Sequence, residues 1–338
     1  MFDILIPGAT ILDGTGREPF QADIGIVGDT IAAMGDLTGA SAGTTLRPGS
    51  SSGTDRRTPV VCPGFIDVHS HSDAYLLIEP SAPSKLYQGV TTEVVGNCGA
   101  SAAPLWGAYR LPSDWRGQSY PDSWRTVAEY RALLDQVRPA VNVVLLTGHN
   151  TLRAGVAGYE NRPLIADEWK QAARVLEQSM DEGSRGLSTG LIYVPGMYAP
   201  REEIIALAEI VARRGGIYTS HMRSEGRALL AAIEETLHIG RVTGARVEIS
   251  HLKTSGRAHW GFAGEALRMI RATRREGVKV AADRYPYTAS ATDLDVVFPA
   301  WAEEGGPEAV WARLHDDGVR ARIRRELLET YPAEYWES

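Results

Sequence analysis

Residues 60–73 read VVCPGFIDVHSHSD: an apolar run, a Pro-Gly break, then a strand-like stretch closing on two histidines one residue apart. In an extended chain, side chains two residues apart leave the same face, so the imidazoles of His69 and His71 emerge side by side. The same grammar recurs downstream. Apolar runs of strand length lie at 91–95, 141–147, 186–192, 216–219, 245–249 and 278–282, and with 60–68 they make seven. Helical stripes separate most of them. One is Trp169, Ala172, Ala173, Leu176 and Met180, with Asp167 as N-cap and Gly183 past the end. A second is Ile204, Leu207, Ala208 and Val211, closed by Gly215-Gly216, and a third is Leu229, Ala232, Ile233, Thr236 and Leu237. Strand then helix, repeated, means parallel strands joined by right-handed crossovers. Seven in a row, with no glycine-rich dinucleotide fingerprint at any crossover, predict an α/β fold of the (β/α)8 TIM-barrel type rather than a doubly wound sheet. An eighth strand is not found. After residue 282 the sequence reads mostly as helix, from 307 to 331.

Upstream the texture differs. Segments 3–6, 10–12 and 22–27 read as short strands, with Gly28-Asp29 at a hairpin turn, and suggest a small antiparallel β unit. Residues 39–59, GASAGTTLRPGSSSGTDRRTP, hold almost nothing to bury and read as a surface loop between two structural units. The 338 residues are 43% hydrophobic and 23% charged, which supplies a sizeable core and argues against wholesale disorder. The net charge of -7 argues against a nucleic-acid-binding face. No apolar run reaches the length of a membrane span. The first twenty residues carry no Lys or Arg before Arg17, and Asp3 interrupts their apolar run, unlike a signal peptide. Two cysteines cannot build a disulfide framework, which fits a reducing compartment or a thiol used as a metal ligand. A cytoplasmic, enzyme-sized protein is expected.

In a (β/α)8 barrel the working residues sit at the C-terminal strand ends. Five of the eight histidines fall there: His69 and His71 after the first strand, His149 after the third, His221 after the fifth and His251 after the sixth. Any one of them could be a core histidine satisfied by a hydrogen bond. Histidines at four separate strand ends point instead to ligands converging on one metal site. The second strand runs into Gly96-Asn97-Cys98-Gly99. Imidazole with thiolate suits Zn²⁺ better than Mg²⁺ or Ca²⁺, and zinc lowers the pKa of its bound water to about 7, which implies metal-assisted hydrolysis. A buried structural thiol is the alternative for Cys98. Cys62, at the start of a strand and away from the reacting face, reads as structural.

The block from Pro63 to His71 resembles the strand-one signature of the amidohydrolase superfamily. Further blocks are similar to the N-acyl-D-amino-acid deacylases, or D-aminoacylases: GVTTEVVGNCG at 89–99, GLSTGLIY at 186–193, YTSHMRSEG at 218–226, ISHLK at 249–253 and YPYTA at 285–289. The resemblance covers nearly the whole chain outside the Gly/Ser-rich loop. It implies a barrel over residues 60–338, incomplete at the C-terminus, and part of a small β-sandwich with the loop over 1–59. It implies zinc-dependent hydrolysis of N-acyl-D-amino acids to a carboxylate and a free D-amino acid. It further implies a tight zinc on Cys98, His221 and His251, a weaker second metal position at His69 and His71, and Lys253 and Tyr285 on the substrate carboxylate or the reacting carbonyl.

The family's general base, an aspartate ending strand eight, would lie beyond Ser338. The chain therefore reads as a fragment, or as one whose barrel a C-terminal fragment or second chain completes. Asp283 and Asp293 lie near strand seven, and nothing in the sequence puts either at the place of that base. Hydantoinases and related enzymes bridge two metals with a carboxylated lysine ending strand four, and 185–192 holds no lysine. Cys98 could supply the negative bridge instead. A D-hydantoinase-like enzyme and a non-catalytic metal-binding barrel are the alternatives. Arg223 reads either as a contact for an acidic substrate or as a partner of Glu225.

Overall fold

A computed structural model describes residues 1–47 and 60–330. They divide into two units, Met1–Phe65 and Ile66–Ser338.

The first unit is one mixed sheet. β1 (Phe2–Ile11) pairs antiparallel with β2 (Phe20–Val27), and β2 with β3 (Thr30–Gly35) across the Gly28-Asp29 turn. The two short strands expected at 3–6 and 10–12 are a single strand, because a register shift between Ile6 and Ala9 lets pairing with β2 continue through Gly8. The expected loop contains β4 (Ala42–Thr45), parallel to β1, while residues 48–59 lie outside the described residues. The expected first barrel strand is also broken. β5 (Val60–Val61) pairs with β1 instead, and pairing as part of the barrel begins only after Pro63-Gly64, at β6 (Phe65–Asp67). Proline lacks the N–H that a continuous ladder would need. Ala9, Ile11, Ala22 and Ile24 form this sheet's buried face.

The second unit runs strand by strand as the periodicity predicts. β7 (Val90–Val95) pairs parallel with β8 (Asn142–Leu145), and β9 (Thr147–Gly148) continues the same path one residue later. β9 pairs with β10 (Gly186–Gly190), then follow β11 (Ile217–His221), β12 (Arg246–Ile249) and β13 (Val280–Ala282), all parallel. Leu146 bridges the two arcs: its N–H donates to the Val95 carbonyl, and the Arg185 N–H donates to the Leu145 carbonyl. The seven barrel positions are therefore filled in order. Among the described residues β6 pairs with β7 and β13 with β12, each on one side.

The crossover helices are α4 (Ala166–Asp181), α5 (Arg201–Arg213), α6 (Leu229–Thr243) and α7 (Ala263–Arg275), the first three being those read from the sequence. Asp167 lies inside the first turn of α4 rather than capping it, and Glu168 accepts the Ile165 N–H in its place. Leu176, Ile204, Leu207, Val211, Leu229, Ile233 and Leu237 bury their stripes against Leu187, Tyr218, Val247 and Ile249 of the strands. A second cluster packs α2 (Val127–Val137) over Val95 and Leu145 through Tyr130, Leu133 and Leu134. The segment after β13 is helical, ending in α9 (Pro307–His315) and α10 (Asp317–Thr330). No helix of the described residues is long and apolar enough to cross a membrane.

Candidate metal centre

Strand register sets the site. Gly190 pairs with His221, Ser220 with Ile249, and Ile249 with Ala282, so His221, His251 and Asp283 all emerge at one rim. The loop after β7 reaches the same rim by a tight turn. Gly96 and Gly99 have φ of 82° and 80°. A Cβ on Gly96 would stand 2.2 Å from the Leu146 carbonyl oxygen, and one on Gly99 2.3 Å from Asn150 Oδ1. Only glycine fits either place. Between them Cys98 is held at φ 53°, and His251 at φ 37°, a region that costs a side-chain-bearing residue free energy and concentrates at functional positions. The N–H of His251 donates to Asp283 Oδ1 at 2.6 Å, which helps to hold that backbone.

These constraints bring the donor atoms together. Cys98 Sγ lies 3.3 Å from His69 Nε2 and 3.5 Å from His251 Nε2, and His251 Nε2 lies 2.9 Å from His221 Nδ1. Two triads result, Cys98–His221–His251 and His69–His71–Cys98, each with its ligand atoms within 4.8 Å of one another. They share the sulfur.

The donor set fits a thiophilic divalent cation. Burial, then the charge of neighbouring His251, holds His221 well below the usual histidine range, so its ring is neutral at physiological pH, as a metal donor must be. Among the described residues its buried Nε2 has no hydrogen-bond partner. Burial pushes the Cys98 thiol up, and the carboxylates of Asp283 and Glu225 push it further, so the thiol alone stays protonated. A bound cation reverses that preference, because coordination deprotonates a thiol. Two imidazoles and one thiolate would make a donor set that suits zinc.

Carboxylates surround the triads. Glu225, in the loop after β11, places Oε1 2.8 Å from His251 Nδ1 and contacts Lys253 Nζ. Burial opposes its charge, but the hydrogen bond from His251 and the charges of His221 and Lys253 outweigh it and hold its carboxyl at about 2. Asp283 Oδ2 lies 3.3 Å from His69 Nδ1. Tyr193 packs its ring edge-on to His221, centroids 4.9 Å apart, with its hydroxyl 2.9 Å from that of Thr292. Lys253 Nζ stands 5.5 Å over the Tyr285 ring, which Arg284 also covers at 4.4 Å.

Residues 59–326 match the Amidohydrolase family. The chain belongs to that family. Among its relatives, D-aminoacylase of Alcaligenes xylosoxydans xylosoxydans is 40% identical over 294 residues, 87% of this chain and 59% of that protein. A D-aminoacylase structure addressing a binuclear metal centre is 38% identical, with a TM-score of 0.77 over 85% of this chain and 59% of that one. The N-acyl-D-glutamate deacylase of Bordetella bronchiseptica, solved with zinc and a phosphonate inhibitor, is 37% identical, with a TM-score of 0.77 over 85% and 59%. The chain spans about three fifths of the length of these relatives.

In this chain, all five residues expected at the metal stand together at the rim, and Lys253 and Tyr285 stand beside them. His149 does not. It opens α3 (His149–Ala157), and its Nε2 meets Glu203 at 2.9 Å in a buried cluster with Arg153. Arg223 pairs with Glu235 and donates to the Met197 and Ala199 carbonyls, so it is the partner of Glu235 and not of Glu225. Cys62 is an exposed free thiol. β10 holds no lysine. Sequence reasoning offered Glu225 only as a partner for Arg223, missed Tyr193 and left Asp283 without a role. Their common signal is position, in the loops just past strand ends.

Proposed function

We propose that this chain carries the metal centre of a zinc-dependent hydrolase of linear amides, acting on N-acyl-D-amino acids to give a carboxylate and a free D-amino acid. The observation that carries the reading is the single sulfur shared by two triads of N and S donors. In this reading Cys98, His221 and His251 hold the tighter cation, and His69 and His71 with Cys98 form a weaker second position. Zinc bound there supplies a Lewis acid that polarises the scissile carbonyl and acidifies water near neutral pH.

The remaining work falls to the protein. Lys253, half-buried beside His251, offers an ammonium to the substrate carboxylate, and Tyr285 walls the same side. The ring of Tyr193 packs edge-on against His221. The two free cysteines support a reducing, cytoplasmic setting, since a thiolate ligand must stay reduced. The cyclic-amide alternative lacks its bridging lysine on β10.

The proposal extends to the barrel's closure: β6 and β13, each paired on one side among the described residues, take an eighth strand between them, from further sequence or from another polypeptide. The family's aspartate base would come with that strand. The test is zinc content and hydrolysis of N-acetyl-D-amino acids against N-acetyl-L-amino acids and hydantoins, for this chain alone and with the remaining two fifths of a relative's length added. Zinc with D-selective hydrolysis in the longer form is expected. A zinc-loaded longer form that cleaves none of these amides leaves the non-catalytic barrel.

A further inference from the structure

The imidazole of His251 has a conflict at Nδ1. Glu225 Oε1 lies 2.8 Å from it and Lys253 Nζ 3.0 Å from it. A carboxylate only accepts and an ammonium only donates. Nδ1 therefore either carries the proton and gives it to Glu225, or carries a lone pair and takes a hydrogen bond from Lys253. The two states are different tautomers. In the second, the proton of a neutral ring sits on Nε2, the atom facing Cys98 Sγ at 3.5 Å and His221 Nδ1 at 2.9 Å. A protonated Nε2 has no lone pair for a cation.

We propose that Glu225 is a positioning residue that sets the tautomer of His251, holding the proton on Nδ1 so that Nε2 stays free as a ligand, while drawing the Lys253 ammonium off the ring. This rests on the metal reading above. Several observations give Glu225 that role. Its side chain is 14% exposed, and Ser255 donates its N–H to the Glu225 carbonyl, so both ends of the residue are fixed. The same oxygen that meets Nδ1 also receives Lys253, which makes a further bond at 3.0 Å to the His251 carbonyl. The carboxylate thus competes with Nδ1 for the ammonium. A carboxylate behind a ligating histidine is a general means of fixing ring orientation and basicity. Here it has a second duty, because Lys253 is also the group assigned to the substrate carboxylate. Glu225 links the metal ligand to the substrate anchor.

The test uses the chain as it exists with Zn²⁺ alone as probe, titrated against a competing chelator, and long-range ¹⁵N–¹H spectra of His251 in the metal-free form. Glu225→Ala should weaken zinc binding by about 10- to 100-fold, and should move the His251 proton from Nδ1 to Nε2. Glu225→Gln, whose amide oxygen still accepts from Nδ1, should recover most of that affinity and keep the proton on Nδ1. Adding Lys253→Met to Glu225→Ala should restore part of the affinity, because the competing donor is gone; a merely structural role would not respond this way. The inference is overturned if Glu225→Ala binds zinc as tightly as the parent, or if the double variant stays as weak as Glu225→Ala. A parent that binds no zinc overturns the metal reading itself, and that outcome is read before any variant is compared.

Discussion

Cys98 Sγ stands 3.3 Å from His69 Nε2, across the span between the second and first barrel strands. That contact makes the thiol common to both triads, so the sulfur is not exchangeable with any imidazole around it. Cys98→Ala is expected to abolish stoichiometric zinc binding at both positions, whereas His71→Ala removes only the second. Elemental analysis after dialysis checks it: one residual zinc in His71→Ala and none in Cys98→Ala is the expected pattern. Equal loss in both variants would contradict the sharing.

His149, a strand-end histidine like the others, belongs to a different structure. Arg153 is 1% exposed and donates to Glu203 Oε2 at 2.6 Å, while His149 meets the other Glu203 oxygen. Arg153→Met leaves Glu203 buried without its charged partner, and such a loss costs about 3–5 kcal/mol. Urea unfolding of the metal-free chain should register that cost. His149→Asn should keep its zinc at the parental stoichiometry, which separates it from His221→Asn and His251→Asn.

The contrast between His149 and His251 shows what the sequence makes legible. Strand-helix alternation follows from the period of buried residues, and each strand's end follows from where that period stops, so the barrel and the histidines at its rim can be read directly. What a strand-end histidine touches depends on how the chain leaves its strand. His251 leaves the strand at φ 37° and turns to Cys98, while His149 enters a helix and turns outward to α5. No periodicity encodes that difference. Glu225 and Asp283 were illegible for the same reason: loop acids meet their partners from 26 and 214 residues away, the separations of Glu225 from His251 and of Asp283 from His69. β5 escaped because its two residues match a barrel strand in composition and pair elsewhere.

The turn that delivers Cys98 makes its own prediction. Gly99→Ala puts a methyl 2.3 Å from Asn150 Oδ1 and 2.6 Å from the Gly190 backbone nitrogen, at φ 80°. Backbone cannot yield as a flexible side chain does, so the loop must shift and carry the thiol with it. Zinc affinity is expected to fall by at least about 10-fold, as for lost ligand orientation, in a chain that still folds. Chelator competition measures the affinity and circular dichroism the fold. A variant with parental zinc affinity would mean that the loop tolerates the shift without moving the sulfur.

Glu248 sets a pH dependence of stability that is separate from the metal. It lies on β12 between the buried Val247 and Ile249, and burial, then the charge of Asp283, raises its carboxyl from 4.5 to about 7. The folded chain therefore holds a proton that the unfolded chain releases. With the folded value raised, the contribution to stability is fully present below about 4.5 and is lost as pH rises through about 7. Glu248→Gln keeps the shape without the ionisation, so it should be more stable than the parent at pH 8 and close to it at pH 5. Urea midpoints of the metal-free proteins at the two values measure this. If the two proteins keep a constant difference from pH 5 to pH 8, Glu248 is ionised in the folded chain, and the strain at this strand comes from another group.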